Sequence, residues 1–501
     1  MAVRAAEAAK AGQDSLARGT LALVGAQFAL MAGGYVIHFY LGRKLGPASY
    51  GTFGVVFSYL IWLEVSLIGG FPYAIRKFGA ERADLMPAIA RAAAKGQILY
   101  SAALFAAAVA AAPWAARLLR DPSLTSLIRL ASLDIPVFAF YFCCTAVLNG
   151  RRNYTRQAAA MLTYTAAKVG AVMLLVALGF GVRGALVGNI LASVGGLAAA
   201  AFLTGRLPKA PTYPVRKLAR YAGATAVQGV LFTLLITVDI FVVKALAPGS
   251  STVGYYTAAG MLARAPFYVL TGIATATLPA ISRAASDSDW NLVRRYTSQG
   301  LRLQLAILGL VTALLAGTAD RAIVFVYSHS YAPGATSLAI LAVGLTFFGL
   351  LSTLYNVLVA IGDVRTPLVG TTVLIIIATA LSVALVPRVG VAGAAAASAA
   401  TAAAGLSVTA VACARRLGKT VSPATVTRTT AASALVYAAA RTAAVQRLDL
   451  LFVYSALLAL YATVLVVSGE IHKADVAGIA SAVGLGRSRP PAHDGSGGEL
   501  R

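Results

Sequence analysis

Lys44-Leu45-Gly46-Pro47-Ala48-Ser49-Tyr50-Gly51 closes one hydrophobic run and opens the next, and Lys244-Ala245-Leu246-Ala247-Pro248-Gly249-Ser250-Ser251-Thr252-Val253-Gly254 does the same much later in the chain. Further echoes keep this order. Pro72…Arg76 is matched by Pro279…Arg283, Leu148-Asn149-Gly150-Arg151 by Ala360-Ile361-Gly362-Asp363, and Gly181-Val182-Arg183-Gly184-Ala185 by Gly390-Val391-Ala392-Gly393-Ala394. Four echoes at a spacing of roughly 200–212 residues imply two copies of one unit, and duplicated membrane units around a central site are a transporter's architecture.

The rest of the chain says what the unit is made of. Of 501 residues, 59% are hydrophobic and 12% charged, with a mean hydropathy of +0.79. Hydrophobic runs long enough to cross a hydrocarbon core ~30 Å thick recur at about fourteen places. They fall near 19–41, 51–71, 96–116, 124–148, 157–179, 184–205, 220–246, 254–279, 300–317, 336–361, 366–386, 390–413, 425–443 and 449–469. Backbone groups in lipid must bond internally, and the runs do not alternate as barrel strands would, so an all-α polytopic membrane protein is expected. The first run is too long for a cleaved signal.

Six spans per copy is an even number, so both copies insert the same way and are related by a pseudo-twofold axis along the membrane normal. The expected division is a cytoplasmic N-terminal segment (1–18), an N-lobe of helices 1–6 (19–210), a C-lobe of helices 7–12 (211–416), an appended helix pair 13–14 (417–470), and a Gly/Ser/Pro-rich cytoplasmic tail (471–501) expected to be disordered. The Pro-rich, basic stretch Leu207-Pro208-Lys209-Ala210-Pro211 joins the halves.

The formal charge is +25. Its distribution argues against nucleic acid: about 29 of the Lys and Arg residues lie in alternate connections and the termini, about 10 in the remaining connections. That asymmetry predicts both termini on the cytoplasmic side of the inner membrane, with loops such as Arg151-Arg152-Asn153-Tyr154-Thr155-Arg156 against anionic headgroups. Cys143, Cys144 and Cys413 all fall in hydrophobic spans, have no metal or redox spacing, and read as small buried residues. Alanine-dense runs, 102–112 and 394–404, suit close helix packing in lipid, although a compositional bias towards Ala explains their abundance equally well.

Ionisable side chains within spans are costly and therefore mark function. Lys168 and Arg264 each lie about ten residues into a span, near mid-bilayer, one per half. Tyr164 and Tyr268 stand one turn from them on the same helix face. Two such cations make a clamp for a pyrophosphate or an acidic sugar; the alternative is that each neutralises a nearby acid, Lys168 with Glu64 or Asp134 and Arg264 with Asp239. Asp239 and Glu64 are candidates for a coupling cation or proton, although Asp239 could instead pair with Lys244. Asp134, just before Pro136, reads better as the support of a broken helix. Arg129 is a lesser candidate for cargo contact, since its stem is long enough to reach the interface.

No phosphate-binding loop, dinucleotide fingerprint, zinc-protease motif or nucleophile elbow occurs, and His38, His329, His472 and His493 are too scattered for a metal site. The chain is therefore read as a non-enzymatic carrier without cofactor. Connections are short, which argues against a membrane glycosyl polymerase or ligase.

Gly42-Arg43-Lys44-Leu45-Gly46-Pro47-Ala48-Ser49-Tyr50-Gly51-Thr52-Phe53 resembles the first loop of the polysaccharide-biosynthesis flippases of the multidrug/oligosaccharidyl-lipid/polysaccharide exporter superfamily. Val238-Asp239-Ile240, Val253-Gly254-Tyr255-Tyr256-Thr257-Ala258-Ala259 and Leu278-Pro279-Ala280-Ile281-Ser282 extend that resemblance over about residues 15–470. It implies two six-helix lobes around a cationic cavity, two extra C-terminal helices, and alternating-access flipping of an undecaprenyl-pyrophosphate-linked oligosaccharide. It also implies membrane lipids and a polysaccharide polymerase or ligase as partners, and Asp239 matches an acidic position common in the family's seventh helix. The chain is expected to act as a monomer. The lipid II branch is the alternative, ranked lower because its dense arginine pattern in the first helices is not evident. A cation-coupled multidrug exporter ranks third, because Lys168 and Arg264 would repel its cargo.

Overall fold

The computed structural model describes residues 2–418, 420–442 and 450–469, with the side chains of 2–17, 268–279 and 450–451 excepted. The expected tail 471–501 lies outside the described residues. Among those described, all regular structure is helical.

The echoed loop shows how sequence shapes the first element. Helix α1 (Ala2–Gly69) is two membrane spans joined at Gly46, whose φ of 70° and ψ of 170° only glycine adopts without strain. Pro47 follows, removing a backbone donor and disfavouring helix at the residue before it. The chain continues through α2 (Phe71–Glu81), α3 (Met86–Leu118), α4 (Leu124–Ser132), α5 (Asp134–Gly150), α6 (Tyr154–Ala177) and α7 (Gly181–Thr204). The second half comprises α8 (Val215–Leu235), α9 (Val238–Leu246), α10 (Thr252–Ser286), α11 (Trp290–Gly317), α12 (Ala319–Val326), α13 (Ala335–Ala360), α14 (Arg365–Val389) and α15 (Val391–Leu417). The appended pair is α16 (Pro423–Thr442) and α17 (Leu450–Val467). Ten described segments have the length and apolarity of a membrane span, the first of them covering both arms of α1. Each of the fourteen hydrophobic runs corresponds to a helix or to a helix broken in two.

The duplication is visible in the packing. In the first half α6 packs on α7, α5 on α7, and α1 on α6; in the second, α14 packs on α15, α13 on α15, and α8 and α9 on α14. Close approach of backbones supports these pairs. A Cβ on Gly188 of α7 would meet the Val172 backbone at 2.7 Å, and one on Gly344 of α13 would meet Ala399 Cα at 2.9 Å. The alanine-dense run of α15 is buried at Ala394, Ala395, Ala397 and Ala402. Small residues lie where helices touch, as lipid-embedded packing requires. Helices α16 and α17 pack on α11 with their own small core around Val436, Tyr461 and Leu465, so they belong to the second lobe's flank.

The lobes meet through equivalent parts of the repeat. A Cβ on Gly51 would stand 2.6 Å from the Gly254 nitrogen, and one on Gly54 would stand 2.6 Å from the Thr257 side chain. Both pairs are residues of matching repeat position, so the first-loop end of the bundle closes on the pseudo-twofold axis. At that end Arg43 donates to the carbonyls of Phe325 (2.5 Å) and Val326 (2.7 Å), Tyr331 donates to Gly42 O at 2.7 Å, and Lys244 pairs with Asp121 at 2.7 Å. Lys244 thus bridges the lobes; it does not serve Asp239. At the opposite, basic end, Arg151 and Arg156 donate to the Thr204 and Leu203 carbonyls and so cap α7.

Candidate functional site

The mid-membrane site is built by two broken helices. Span four breaks at Leu133, between α4 and α5, which places Asp134 in the first turn of α5. Span seven breaks at Ile236–Thr237, between α8 and α9, which places Asp239 in the first turn of α9. A carboxylate in a helix's first turn is favoured by the dipole and by free backbone donors. Asp239 Oδ1 accepts from Ile240 N at 2.8 Å accordingly.

Around Asp239 the second lobe supplies two hydroxyls. Tyr256 of α10 donates to Oδ2 at 2.5 Å and Ser398 of α15 at 2.8 Å. Asp239 is buried, with Tyr256 and Ser398 as its partners in place of Lys244. Arg264 shares a small cavity of about 10 Å³ with Asp239 and Ser398, but its guanidinium donates to the Ile236 carbonyl at 2.6 Å. That carbonyl is one the helix break sets free, so Arg264 caps α8. Trp62 of the first lobe pins the same break, donating to Thr237 Oγ1 at 2.8 Å.

In the first lobe Lys168 reaches Tyr164 at 3.3 Å, as the four-residue spacing anticipates, and lies 5.5 Å from the Phe57 ring centroid. Its ammonium makes neither of the direct acid pairs considered from sequence, although Glu64 and Asp134 both lie within its electrostatic reach. Asp134 does not merely support the broken helix: it reaches across to α7, where Asn189 Nδ2 donates to Oδ2 at 3.1 Å. Tyr164 stacks on Tyr141 at 4.8 Å between centroids.

His38, on the first arm of α1, links the two regions. It is buried, bonds Tyr50 Oη at 3.0 Å, and lies within electrostatic reach of both Lys168 and Arg264. The two expected cations therefore flank one seam between the lobes. Arg129 does not join them; it is exposed on the last turn of α4, in keeping with a stem that runs to the bilayer edge. The side chain of Tyr268 lies outside the described residues. The sequence reading weighed His38 only as a metal ligand and missed Trp62, Tyr256, Ser398 and Asn189, because it weighed ionisable residues in spans and passed over neutral polar ones.

Two cavities bear on cargo. One of about 440 Å³ is lined from both lobes, by Tyr73, Gln228, Tyr355 and Asn356 among others, towards the basic end; Lys168 and Arg264 are not among its walls. The other, about 1030 Å³ and almost wholly apolar, runs between α11, α13, α15 and α16, with Leu305, Phe347 and Val426 in its lining.

Two duplicated helical lobes, sealed together at one end and holding polar side chains at the seam between them, define a transporter fold of the membrane-carrier class. The model of the family "Lipid II flippase MurJ" matches residues 88–464, and the chain belongs to that family. No curated protein sequence matches. Among solved structures, "Lipid II flippase MurJ, inward closed conformation" aligns with a TM-score of 0.74 at 15% identity, covering 88% of this chain and 97% of that one. The inward-facing conformation of a multidrug resistance MATE family transporter of the MOP superfamily aligns at 0.67 and 18% identity, over 77% and 94%. A MOP superfamily transporter from Pyrococcus furiosus, titled for the reverse polarity of its binding pocket, aligns at 0.61 and 16%, over 81% and 97%. These likenesses establish the shared fold. The family match reverses the order of the two flippase readings. It begins at residue 88, so the first two helices, where the lipid II arginine pattern was sought, lie outside the matched stretch.

Proposed function

We propose that this protein is an inner-membrane flippase for a polyprenyl-pyrophosphate-linked cell-wall precursor of the lipid II type. The observation that carries this reading is the family match over residues 88–464. The cavities are in keeping with it. The apolar groove beside α16 suits a polyprenyl chain, and the cavity lined from both lobes suits a polar headgroup. Lys168 and, once released from Ile236, Arg264 are proposed to meet the pyrophosphate as it passes the seam, with Asp239 and Glu64 as coupling carboxylates. The positive connections 76–95, 151–156 and 206–220 support an orientation with the basic end and both termini in the cytoplasm.

The test is rescue of cells depleted of their own lipid II flippase, together with transfer of fluorescent lipid II in proteoliposomes. Rescue and transfer support the reading. Failure of both, alongside transfer of an undecaprenyl-pyrophosphate oligosaccharide, would return the cargo to the polysaccharide class.

A further inference from the structure

Inside the first lobe, α1, α5 and α7 bring together oxygen atoms with too few protons among them. Glu64 is 8% exposed, Asp134 0%, Asn189 3% and Ser193 0%. Beyond the Asn189–Asp134 bond, four buried oxygens have no hydrogen-bond partner: Glu64 Oε1, Asp134 Oδ1, Asn189 Oδ1 and Ser193 Oγ. They are neighbours. Asp134 bonds Asn189, Ser193 lies one turn from Asn189 on the same face of α7, and Glu64 is within electrostatic reach of Asp134. Buried acceptors left open in this way cost free energy unless something supplies a positive hydrogen or a cation.

The charge balance points the same way. Titratable groups facing the pair are Lys168 and Tyr164 from α6, with Tyr141 of α5 stacked behind Tyr164, while α7 presents the neutral Asn189 and Ser193; His38 on α1 faces Lys168. Two carboxylates against one ammonium leave one negative charge in excess inside the lobe. A single proton removes it and gives one carboxyl a donor for the other's open oxygen, the arrangement neighbouring carboxyls adopt when both cannot ionise together. A hard metal ion would want about six or more oxygen ligands, and the cluster offers four open ones.

We infer that Glu64 and Asp134 hold one exchangeable proton between them, and that Lys168 sets how tightly it is held. An anion drawn onto Lys168 takes its positive charge away from the pair and strengthens proton binding; release of the anion returns the ammonium and expels the proton. By linkage the proton then strengthens anion binding by the same factor. The second half of this inference rests on the clamp role proposed for Lys168; the shared proton stands without it.

The experiment uses the purified full-length protein in nanodiscs and needs no lipid cargo. Infrared difference spectra across the neutral pH range are expected to show a protonated carboxyl band that titrates. The isosteric variants Glu64→Gln and Asp134→Asn should each lose the band while keeping the wild-type melting temperature. Calorimetry with inorganic pyrophosphate in buffers of different ionisation heat is expected to show proton uptake on binding, absent in those variants; wild-type binding should weaken about tenfold as pH rises through the titration of the band, while the variants, fixed in the charge state of the protonated pair, should keep one affinity throughout. A band that survives in both variants, or a wild type with no titrating band, overturns the shared proton. A response to Na⁺ at fixed pH in place of a response to pH overturns the choice of proton. Loss of the band with pyrophosphate uptake unchanged overturns the link to Lys168.

Discussion

Arg264 and Lys168 both lie near mid-membrane, yet their surroundings assign them different burdens. Arg264 satisfies the Ile236 carbonyl at the break of span seven, so Arg264→Met leaves a buried acceptor open and is expected to cost about 1–3 kcal/mol of stability as well as transport. Lys168 hydrogen-bonds a tyrosine at 3.3 Å, and the carboxyl pair beside it can take up a further proton when the ammonium is lost, so Lys168→Gln should remove transport with a smaller loss of thermal stability. Melting in detergent beside transfer in proteoliposomes separates the two; equal melting losses would deny the distinction. A third charged residue acts outside the spans. Burial would raise the Asp121 carboxyl, but the bonds from Lys244 and Ser123 outweigh it and hold the group below its usual range. Its lowered folded value means that the Asp121–Lys244 pair stabilises the closed end above the unfolded value near ~4 and loses that contribution as pH falls through the folded value. Labelling of a cysteine placed at Val253, buried where α10 meets α1, should therefore stay slow at neutral pH and quicken only in strong acid, whereas Asp121→Asn should label quickly throughout.

The breaks and close contacts of helices decide which of these residues meet. Gly51 and Gly254 are helical glycines whose missing side chains let α1 and α10 touch: a Cβ on Gly254 would overlap the Pro47 carbonyl oxygen, and one on Gly51 would press on the Gly254 backbone. Backbone cannot yield as a side chain can, so Gly51→Ala or Gly254→Ala should hold the lobes apart at the first-loop end. Faster hydrogen exchange over residues 42–51 and 327–331 would register this, with Gly25→Ala, which meets nothing within 4 Å, as the neutral control. The sequence announced the two loops, because Gly-Pro and Pro-Gly punctuation repeats in both copies, but not that the lobes touch beside them. It announced the buried charges too, because each is expensive in lipid. It anticipated a broken helix at Asp134, but not the break at Ile236–Thr237, nor the partners Tyr256, Ser398, Asn189 and Trp62. Those are pairings across tens to hundreds of residues, fixed only when helices pack, and the neutral polar side chains that make them raise no signal in hydropathy. The lipid II branch ranks second on sequence because its arginine pattern belongs to the first helices, and those lie outside the stretch that matches the family.

At the scale of the molecule, the first-loop end is bound across the lobes by an ion pair, three hydrogen bonds from Arg43 and Tyr331, and an aromatic group in which Tyr50 lies 5.6 Å from Tyr327 and 6.1 Å from Tyr331. The cavity shared by the lobes lies towards the other, basic end. For a carrier that alternates, these contacts must all part in each cycle, since cargo cannot leave through a sealed end. Each is modest, and together they make a latch whose strength sets how often the opposite state is visited. Cysteines at Asp121 and Lys244, whose native side chains meet at 2.7 Å, can be joined by a short bifunctional thiol reagent. Native Cys143 and Cys413 are buried and Cys144 is half-buried within its span, so the introduced pair should react first. Cross-linked protein is expected to lose transfer entirely while still binding cargo from the basic side, and cleavage of a reducible linker should restore it. A double-cysteine protein that transports unlinked but keeps its rate when linked would mean that the lobes need not separate at this end, and the alternating-access reading would fail with it.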